Sequence, residues 1–462
     1  MTLPDHIFRE YDIRGVVERD LTTELLRWVG RAYGERLHRD LASAPSDRPQ
    51  VVLGRDNRPS SPELSDALAT GLVEAGLHVL DLGTVPTPVV WWAERSLDGV
   101  LGALQLTGSH NPPGWNGVKM SAQGRSLYGN DVQWIREYIA RGQFSGSQGG
   151  DRMHHPVLES YIDDIRRRVG KVEPVRMVVD CGNGTGSVVA ERLLQAVGVE
   201  VIPLYCESDG TFPNHHPDPT VDEYLEDLIR KVQEEGADLG VGFDGDADRI
   251  GVVDEQGRII RGDVLLLLFG LDLLDRKGPG QLLLFDVKCS QVLPQVYEAA
   301  GGQTLMCKTG HSLMKEKMQE TEAPLAGELS GHICFGGDDY LGIDDALFAA
   351  CHLARIVASR EEPLSAWVDR FPTYLTTPEI RLEVSDSRKV QVVDAAVEHF
   401  SARYEVEAVD GARILFPEGW ALIRASNTQP VLVLRFEARS QDGLREIRQE
   451  VEGWLAGQGI HV

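Results

Sequence analysis

Positive charge is scarce in this 462-residue chain: 46 lysines and arginines face 71 aspartates and glutamates, a formal net charge of −25. A nucleic-acid or anionic-membrane binder needs a basic face, and there is little with which to build one. Any anionic substrate must be held by a local cluster of Arg and Lys against the overall field. Cysteine is also sparse. The six, at 181, 206, 289, 307, 334 and 351, form no C-x-x-C pair, which argues against a zinc ribbon or a disulfide framework and predicts free thiols in a reducing compartment. The longest apolar run, VLLLLFGLDLL at 264–274, falls short of the roughly 18 residues a membrane span needs. The opening MTLPDHIFREYDIRG is charged and lacks the apolar centre of a signal peptide. The expected protein is cytoplasmic, with no nucleic-acid or membrane partner. Lacking long heptads, it is expected as a monomer, with a weak dimer as the alternative.

Hydrophobic residues make up 42% and charged residues 25%, the balance of a soluble globular chain. At about 100–200 residues per domain, the length predicts three or four domains, each burying its own core. A weak repeat occurs three times. VVLG at 51–54, MVVDC at 177–181 and LLLFDV at 282–287 each read as a buried strand, followed by a polar turn, a helix, a glycine and a second strand. That plan is the βαβ unit of parallel sheets. The glycine-rich RGQFSGSQGGDRMHH at 141–155 reads as a linker. The alternating EIRLEV, RILF, WALIRAS and VLVLRFEA, with helices over 389–404 and 443–455, predict a small antiparallel α+β domain. The expected boundaries are 1–150, 151–256, 257–370 and 371–462.

Five stretches carry chemistry. In GVGFDGDADRIGVVD (240–254), two apolar strands leave Asp244, Asp246 and Asp248 on the turn at i, i+2 and i+4. Three carboxylates so placed repel one another unless a hard divalent cation compensates them. An EF-hand needs Gly at the sixth position, where Arg249 stands, so the remaining alternative is a solvated acidic turn. TGSHNPPGWNGVKM (107–120) puts Ser109 on a turn with free backbone amides, and Lys119 can return as its charge partner. CKTGHSLMKEKM (307–318) places His311 between strand and helix, where a cap or core histidine is the plain alternative. AGELSGHICF (326–335) offers Glu328, Ser330 and His332 for sugar hydroxyls, or is simply a hairpin turn. RASNTQP (424–430) gathers Arg424, Ser426, Asn427 and Thr428, the composition of a phosphate cradle. GNGTGS at 182–187, with Glu207 beyond it, is a weak dinucleotide signal and reads as a structural βα turn. The histidines at 154, 155, 215 and 216 read as surface.

Taken in order from FREYDIRG (8–15) to RASNTQP, these motifs resemble the α-D-phosphohexomutase superfamily, and TGSHNP with GELSGH is most similar to its bacterial phosphomannomutase/phosphoglucomutase branch. The resemblance implies four domains around one central cleft: three related α/β domains with mixed, largely parallel sheets, and a smaller α+β C-terminal domain. It implies that Ser109 carries the phosphoryl group as phosphoserine. It implies Mg²⁺ held by Asp244, Asp246 and Asp248, with Ser109 completing the set. It further implies sugar contacts from Glu328 and Ser330, and a phosphate grip from residues 424–428. Tyr11, Arg14, Lys119, Arg249, Lys288 and His311 match positions lining the family's cleft. Leu329 stands where this branch commonly has Met, and Ala247 where relatives often have Gly, adding one methyl to the metal loop.

The implied reaction is reversible transfer of a phosphoryl group between the 1- and 6-positions of mannose or glucose phosphates, through a hexose 1,6-bisphosphate. Either His311 or Lys119 could serve as the base. The alternatives are a phosphoglucosamine mutase, a Mg²⁺-dependent phosphomonoesterase and a non-catalytic sugar-phosphate sensor.

Overall fold

A computed structural model describes residues 3–41, 49–144, 149–427 and 429–462. Thr428, one of the expected phosphate contacts, lies outside the described residues. The three βαβ units form where their apolar runs predict. Gln50–Arg55, Arg176–Asp180 and Leu282–Asp286 are interior strands buried on both faces, and each runs parallel to the strands on either side of it. Near-continuous Val and Leu suit strands covered by helices on both sides.

Each of these sheets also carries antiparallel strands at one edge, which makes it mixed. The first runs Ile13–Val16, Trp115–Ala122, Val100–Leu106, Gln50–Arg55, His78–Thr84, Asp151–His154. The second ends in the hairpin Leu239–Phe243 and Ile250–Asp254, with Ile259–Ile260 beyond it. The third ends in Leu325–Gly327, Ile333–Phe335 and Ile343–Asp344. In all three, the loop carrying the chemistry joins an inner strand to its antiparallel neighbour. The fourth sheet, from Leu375–Thr376 to Val431–Ala438, is antiparallel throughout and covered by the helices Asp386–Ser401 and Gln441–Gly457.

Three expectations need correction. The linker read over 141–155 contains a strand, Asp151–His154, that pairs with His78–Asp81, so the first sheet extends past residue 150. Its side chains are exposed, and edge pairing of a polar strand leaves no apolar signal to read. The second sheet likewise extends past residue 256, because Ile259–Ile260 pairs with Val252 and Val253. The cores are also less separate than expected. The first sheet keeps one of its own around Leu26, Leu53 and Ile135, and smaller clusters sit on the second and third sheets. Another apolar cluster, however, runs from Val52 and Trp92 through Tyr161, Val179 and Phe243 to Phe285 and Phe348, crossing the first three sheets. The fourth sheet keeps its own, around Phe400, Ile414, Phe436 and Val451.

Candidate active site

The chemistry-bearing loops converge on one cleft of about 970 Å³, lined by residues from all four sheets. Tyr11, Arg14, Ser109, Lys119, Arg249, Lys288, His311, Glu328, Ser330, His332, Arg424, Ser426 and Asn427 all line it. The three aspartates lie just behind this wall and are fully buried.

Ser109 follows the strand Val100–Leu106 on a turn that puts its φ at +47°, in the left-handed region that a side chain rarely adopts. Its Oγ donates to Asp244 Oδ2 at 2.8 Å, bridging the first and second sheets, and lies 3.2 Å from His110 Nδ1. Gly245 permits this approach, since a Cβ there would come 2.4 Å from the Ser109 carbonyl. Ala247 also takes a positive φ, +56°, so the methyl that replaces hydrogen here adds backbone strain while the carboxylates stay in place.

Lys119, from the strand Trp115–Ala122, inserts its ammonium between Asp246 Oδ2 at 2.8 Å and Asp248 Oδ2 at 2.5 Å. Burial on its own lowers a lysine, but Asp246 and Asp248 outweigh it and hold this ammonium above the usual lysine range. The same contact outweighs burial at Asp246 and draws that carboxyl well below the usual carboxylate range. Asp244 goes the other way. Burial first, then the charges of Asp246 and Asp248, push it well above that range. Asp246 Oδ1 and Asp248 Oδ1 are buried without a hydrogen-bond partner, and one carboxylate oxygen from each of the three aspartates lies within 4.8 Å of the other two. Orphaned carboxylate oxygens this close are ligands suited to a hard divalent cation.

A second set of contacts ties this loop to the third sheet. Arg249 Nε donates to His332 Nε2 at 2.9 Å, and His332 Nδ1 lies 3.4 Å from Asp344 Oδ2. Asp344 also accepts from His311 Nδ1 at 3.0 Å and from Lys315 Nζ at 2.9 Å. Burial and the neighbouring Lys315 push His311 below the usual histidine range, so its imidazole is neutral with Nδ1–H turned to Asp344. Glu328 accepts from Gly310 N and from Ser330 Oγ. Lys288 donates to Glu379 at 2.9 Å and outweighs burial there, bringing that carboxyl down to about 2.

At the far end, Arg424 donates to Asp410 at 2.6 Å. Asn427 Nδ2 donates to Tyr11 Oη at 2.7 Å, and Tyr11 in turn donates to the Thr309 carbonyl at 2.8 Å. Arg14 donates to the Gly108 carbonyl at 2.9 Å and pairs with Asp12. The basic side chains thus gather in the cleft although the chain as a whole is strongly acidic.

Sequence reasoning missed His110, Asp12, Asp344, Glu379 and Thr87, whose Oγ1 donates to Asp246 at 2.5 Å. His110, adjacent to Ser109, and Asp12, inside FREYDIRG, had a signal in their own motifs. His215 and His216 are not surface residues. His215 Nε2 lies 2.9 Å from Asp180 Oδ2, and His216 Nε2 bonds the His110 carbonyl. Their polar neighbours imitate a linker because they belong to a loop packed between the first and second sheets. GNGTGS is indeed a βα turn, and its Thr185 N donates to the Gly245 carbonyl at 2.9 Å, bracing the metal loop.

Comparison with known proteins agrees with this geometry. Sequence models described as phosphoglucomutase/phosphomannomutase alpha/beta/alpha domains I, II and III match residues 5–146, 159–257 and 261–374, and the C-terminal domain of the same family matches 379–453. A phosphomannomutase/phosphoglucomutase of Pseudomonas aeruginosa is 45% identical over 448 residues, 97% of this chain and 95% of that protein. A phosphoglucomutase of Neisseria gonorrhoeae is 40% identical over 446 residues, 96% and 95% of the two chains. Among solved structures, a phosphoglucomutase/phosphomannomutase family protein from Burkholderia thailandensis matches with a TM-score of 0.89 at 41% identity, covering 97% of this chain and 96% of that one.

Proposed function

The chain belongs to the phosphoglucomutase/phosphomannomutase family, and from that premise we propose how its cleft moves a phosphoryl group between the 1- and 6-positions of hexose phosphates. The enzyme is an isomerase acting on mannose and glucose phosphates. Ser109 carries the phosphoryl group. The observation that supports this most directly is the 2.8 Å contact between Ser109 Oγ and Asp244, on a strained turn at the floor of a cleft rich in cations.

Asp244, Asp246 and Asp248, with Ser109, would hold a Mg²⁺ ion, whose charge stabilises the transferring phosphoryl group. Arg14, Lys119 and Arg249 add fixed positive charge around the same oxygens. When a hexose 1-phosphate binds, Arg424, Ser426 and Asn427 grip its phosphate, while Lys288, Glu328, Ser330 and His332 orient its hydroxyls. The sugar O6 attacks phosphorus as the bond to Ser109 Oγ breaks, and the O6 proton passes to His311 Nε2. Of the two candidate bases, His311 is the better suited. It is neutral, whereas Lys119 is held protonated by two carboxylates. The hexose 1,6-bisphosphate then turns over within the cleft. Ser109 Oγ attacks the phosphorus at position 1, O1 leaves with the proton, and the 6-phosphate is released. Closure of the Tyr11–Asn427 contact over the cleft limits access of water.

The test follows mannose, glucose and glucosamine 1-phosphates in parallel by phosphorus NMR, with Mg²⁺ and a trace of glucose 1,6-bisphosphate. The expected products are mannose and glucose 6-phosphates with little inorganic phosphate, and S109A should be slower by at least about a thousandfold. Turnover of the glucosamine substrate alone would point to the neighbouring mutase, and inorganic phosphate as the main product would make the reaction a hydrolysis.

A further inference from the structure

Arg58 does not line the cleft. It sits on the turn after the strand Gln50–Arg55 with its side chain fully buried. All five of its N–H groups are engaged. Nε donates to Asp56 Oδ2 at 3.0 Å, and Nη1 donates to the carbonyls of Pro112 and Trp115 at 2.6 and 3.2 Å. Nη2 donates to the carbonyls of Ser109 and Asn111 at 2.8 and 2.5 Å. A buried guanidinium ordinarily satisfies its fork on carboxylates. Here one carboxylate neutralises it, and four peptide oxygens of a single loop converge on it.

Asp56 completes the grip by accepting from Gly108 N at 2.8 Å, at the loop's entrance. The pair therefore holds the loop by one amide and four carbonyls, with Ser109 among them. The loop needs such a hold. Its residues 108–114 are Gly, Ser, His, Asn, Pro, Pro and Gly, none of which anchors it in an apolar core, and the φ of Ser109 is unfavourable for a side-chain residue. The second domain closes over the device. The Phe212 ring lies 5.0 Å from the guanidinium carbon, and a Cβ on Gly210 would come 2.5 Å from Arg58 Cα. Asn57 Nδ2 donates to the Asn183 carbonyl at 2.7 Å and to Ser208 Oγ at 2.9 Å, across the same junction.

We propose that Arg58 is a positioning residue for phosphoryl transfer: by bonding the carbonyls of 109, 111, 112 and 115 it fixes the direction in which the Ser109 oxygen presents its phosphoryl group. This rests on the reading of Ser109 as the phosphoryl carrier. In-line transfer tolerates little misplacement of the reacting oxygen. Arg58 touches neither substrate nor phosphorus, so its loss should slow the chemical step and spare sugar binding.

R58K keeps the charge but replaces a planar fork with one nitrogen, which cannot serve four divergent carbonyls. Full-length wild type and R58K are phosphorylated with glucose 1,6-bisphosphate, and phosphate on Ser109 is verified by mass. Each is then mixed with glucose 1-phosphate in a rapid-quench single turnover. The expected result is a transfer rate constant per phosphoserine reduced about 100-fold, with KM within threefold of wild type. A merely structural role would lower the fraction of competent enzyme but leave that rate constant unchanged. F212A, which removes only the aromatic cover, is expected to reduce the same constant three- to tenfold. R58K transferring within twofold of wild type overturns the inference. If R58K does not fold, F212A within twofold of wild type overturns it. A wild-type chain that never takes phosphate on Ser109 overturns the underlying reading, and this inference with it.

Discussion

Asp244, Asp246 and Asp248 have no solvent-exposed surface, and one ammonium, from Lys119, lies among them. Burial, then the charges of Asp246 and Asp248, push up the carboxyl of Asp244, the one that Lys119 does not contact, and favour a proton there. A divalent cation must displace it. Mg²⁺ added to chelator-treated enzyme near neutral pH should therefore release protons, and Mg²⁺ affinity should rise with pH. Calorimetry in two buffers of different ionisation enthalpy reads the proton directly, and binding with no proton release would contradict this assignment. The three aspartates are legible in the sequence because their i, i+2, i+4 spacing on one turn is local. Asp344 is not, because its significance comes from His311, 33 positions before it, and from Lys315 and His332.

Among elements, the neighbouring Asp344 and Asp345 show how one residue of register separates two duties. Asp344 ends the strand Ile343–Asp344 and serves the cleft, whereas Asp345 caps the helix Ala346–Ala358 by accepting from Phe348 N. Asp345 also accepts from Tyr340 Oη at 2.6 Å and Tyr161 Oη at 2.9 Å. Burial pushes its carboxyl up to about 6, against those hydrogen bonds. Between its ordinary value of 3.8 and about 6, the folded chain keeps a proton that the unfolded chain has lost. Stability from this group must then fall as pH rises through that window and level off above it, by up to about 3 kcal/mol. Asparagine is also a good cap and has no proton to lose at this position. The Tm of D345N relative to wild type should accordingly climb from pH 4 to pH 6.5, and a difference independent of pH would refute the shift. The elements themselves were readable where apolar residues run or alternate. The exposed strand Asp151–His154 was not, because only its partner, His78–Asp81, makes it a strand.

At the scale of the whole molecule, the first three sheets share a continuous apolar core, whereas the fourth is joined to the third by a small apolar cluster, Val287 with Trp420 and Leu422, and by polar contacts. Arg413 donates to the Val287 carbonyl at 3.0 Å, Arg435 to the Lys288 carbonyl at 2.7 Å, and Gln291 N to Glu437 at 2.9 Å. Breaking this interface opens a far smaller apolar cluster than parting the first three sheets, so the fourth domain is the one suited to open and close. Tyr11 is its catch, bonded to Thr309 on one side and Asn427 on the other. Y11F removes both bonds, one of them shared across the cleft, and should allow bisphosphate to escape and inorganic phosphate to form about five times faster relative to product. Phosphorus NMR during turnover measures both. An unchanged ratio would show that closure does not depend on this contact.

What the sequence determined by itself is everything carried by neighbours along the chain: the three βαβ units, the antiparallel fourth sheet, and the motifs around 109, 244, 311, 328 and 424. Apolar periodicity and turn chemistry are short-range properties, and a linear text records them. What only the tertiary structure decided is how those motifs act on one another. It set Lys119 between two aspartates, turned His311 toward Asp344, brought His216 and Arg58 against the serine loop, and joined the first three sheets through a common apolar cluster. Such contacts arise where burial in a common interior forces distant polar groups to find partners, and no spacing in the sequence encodes that pairing.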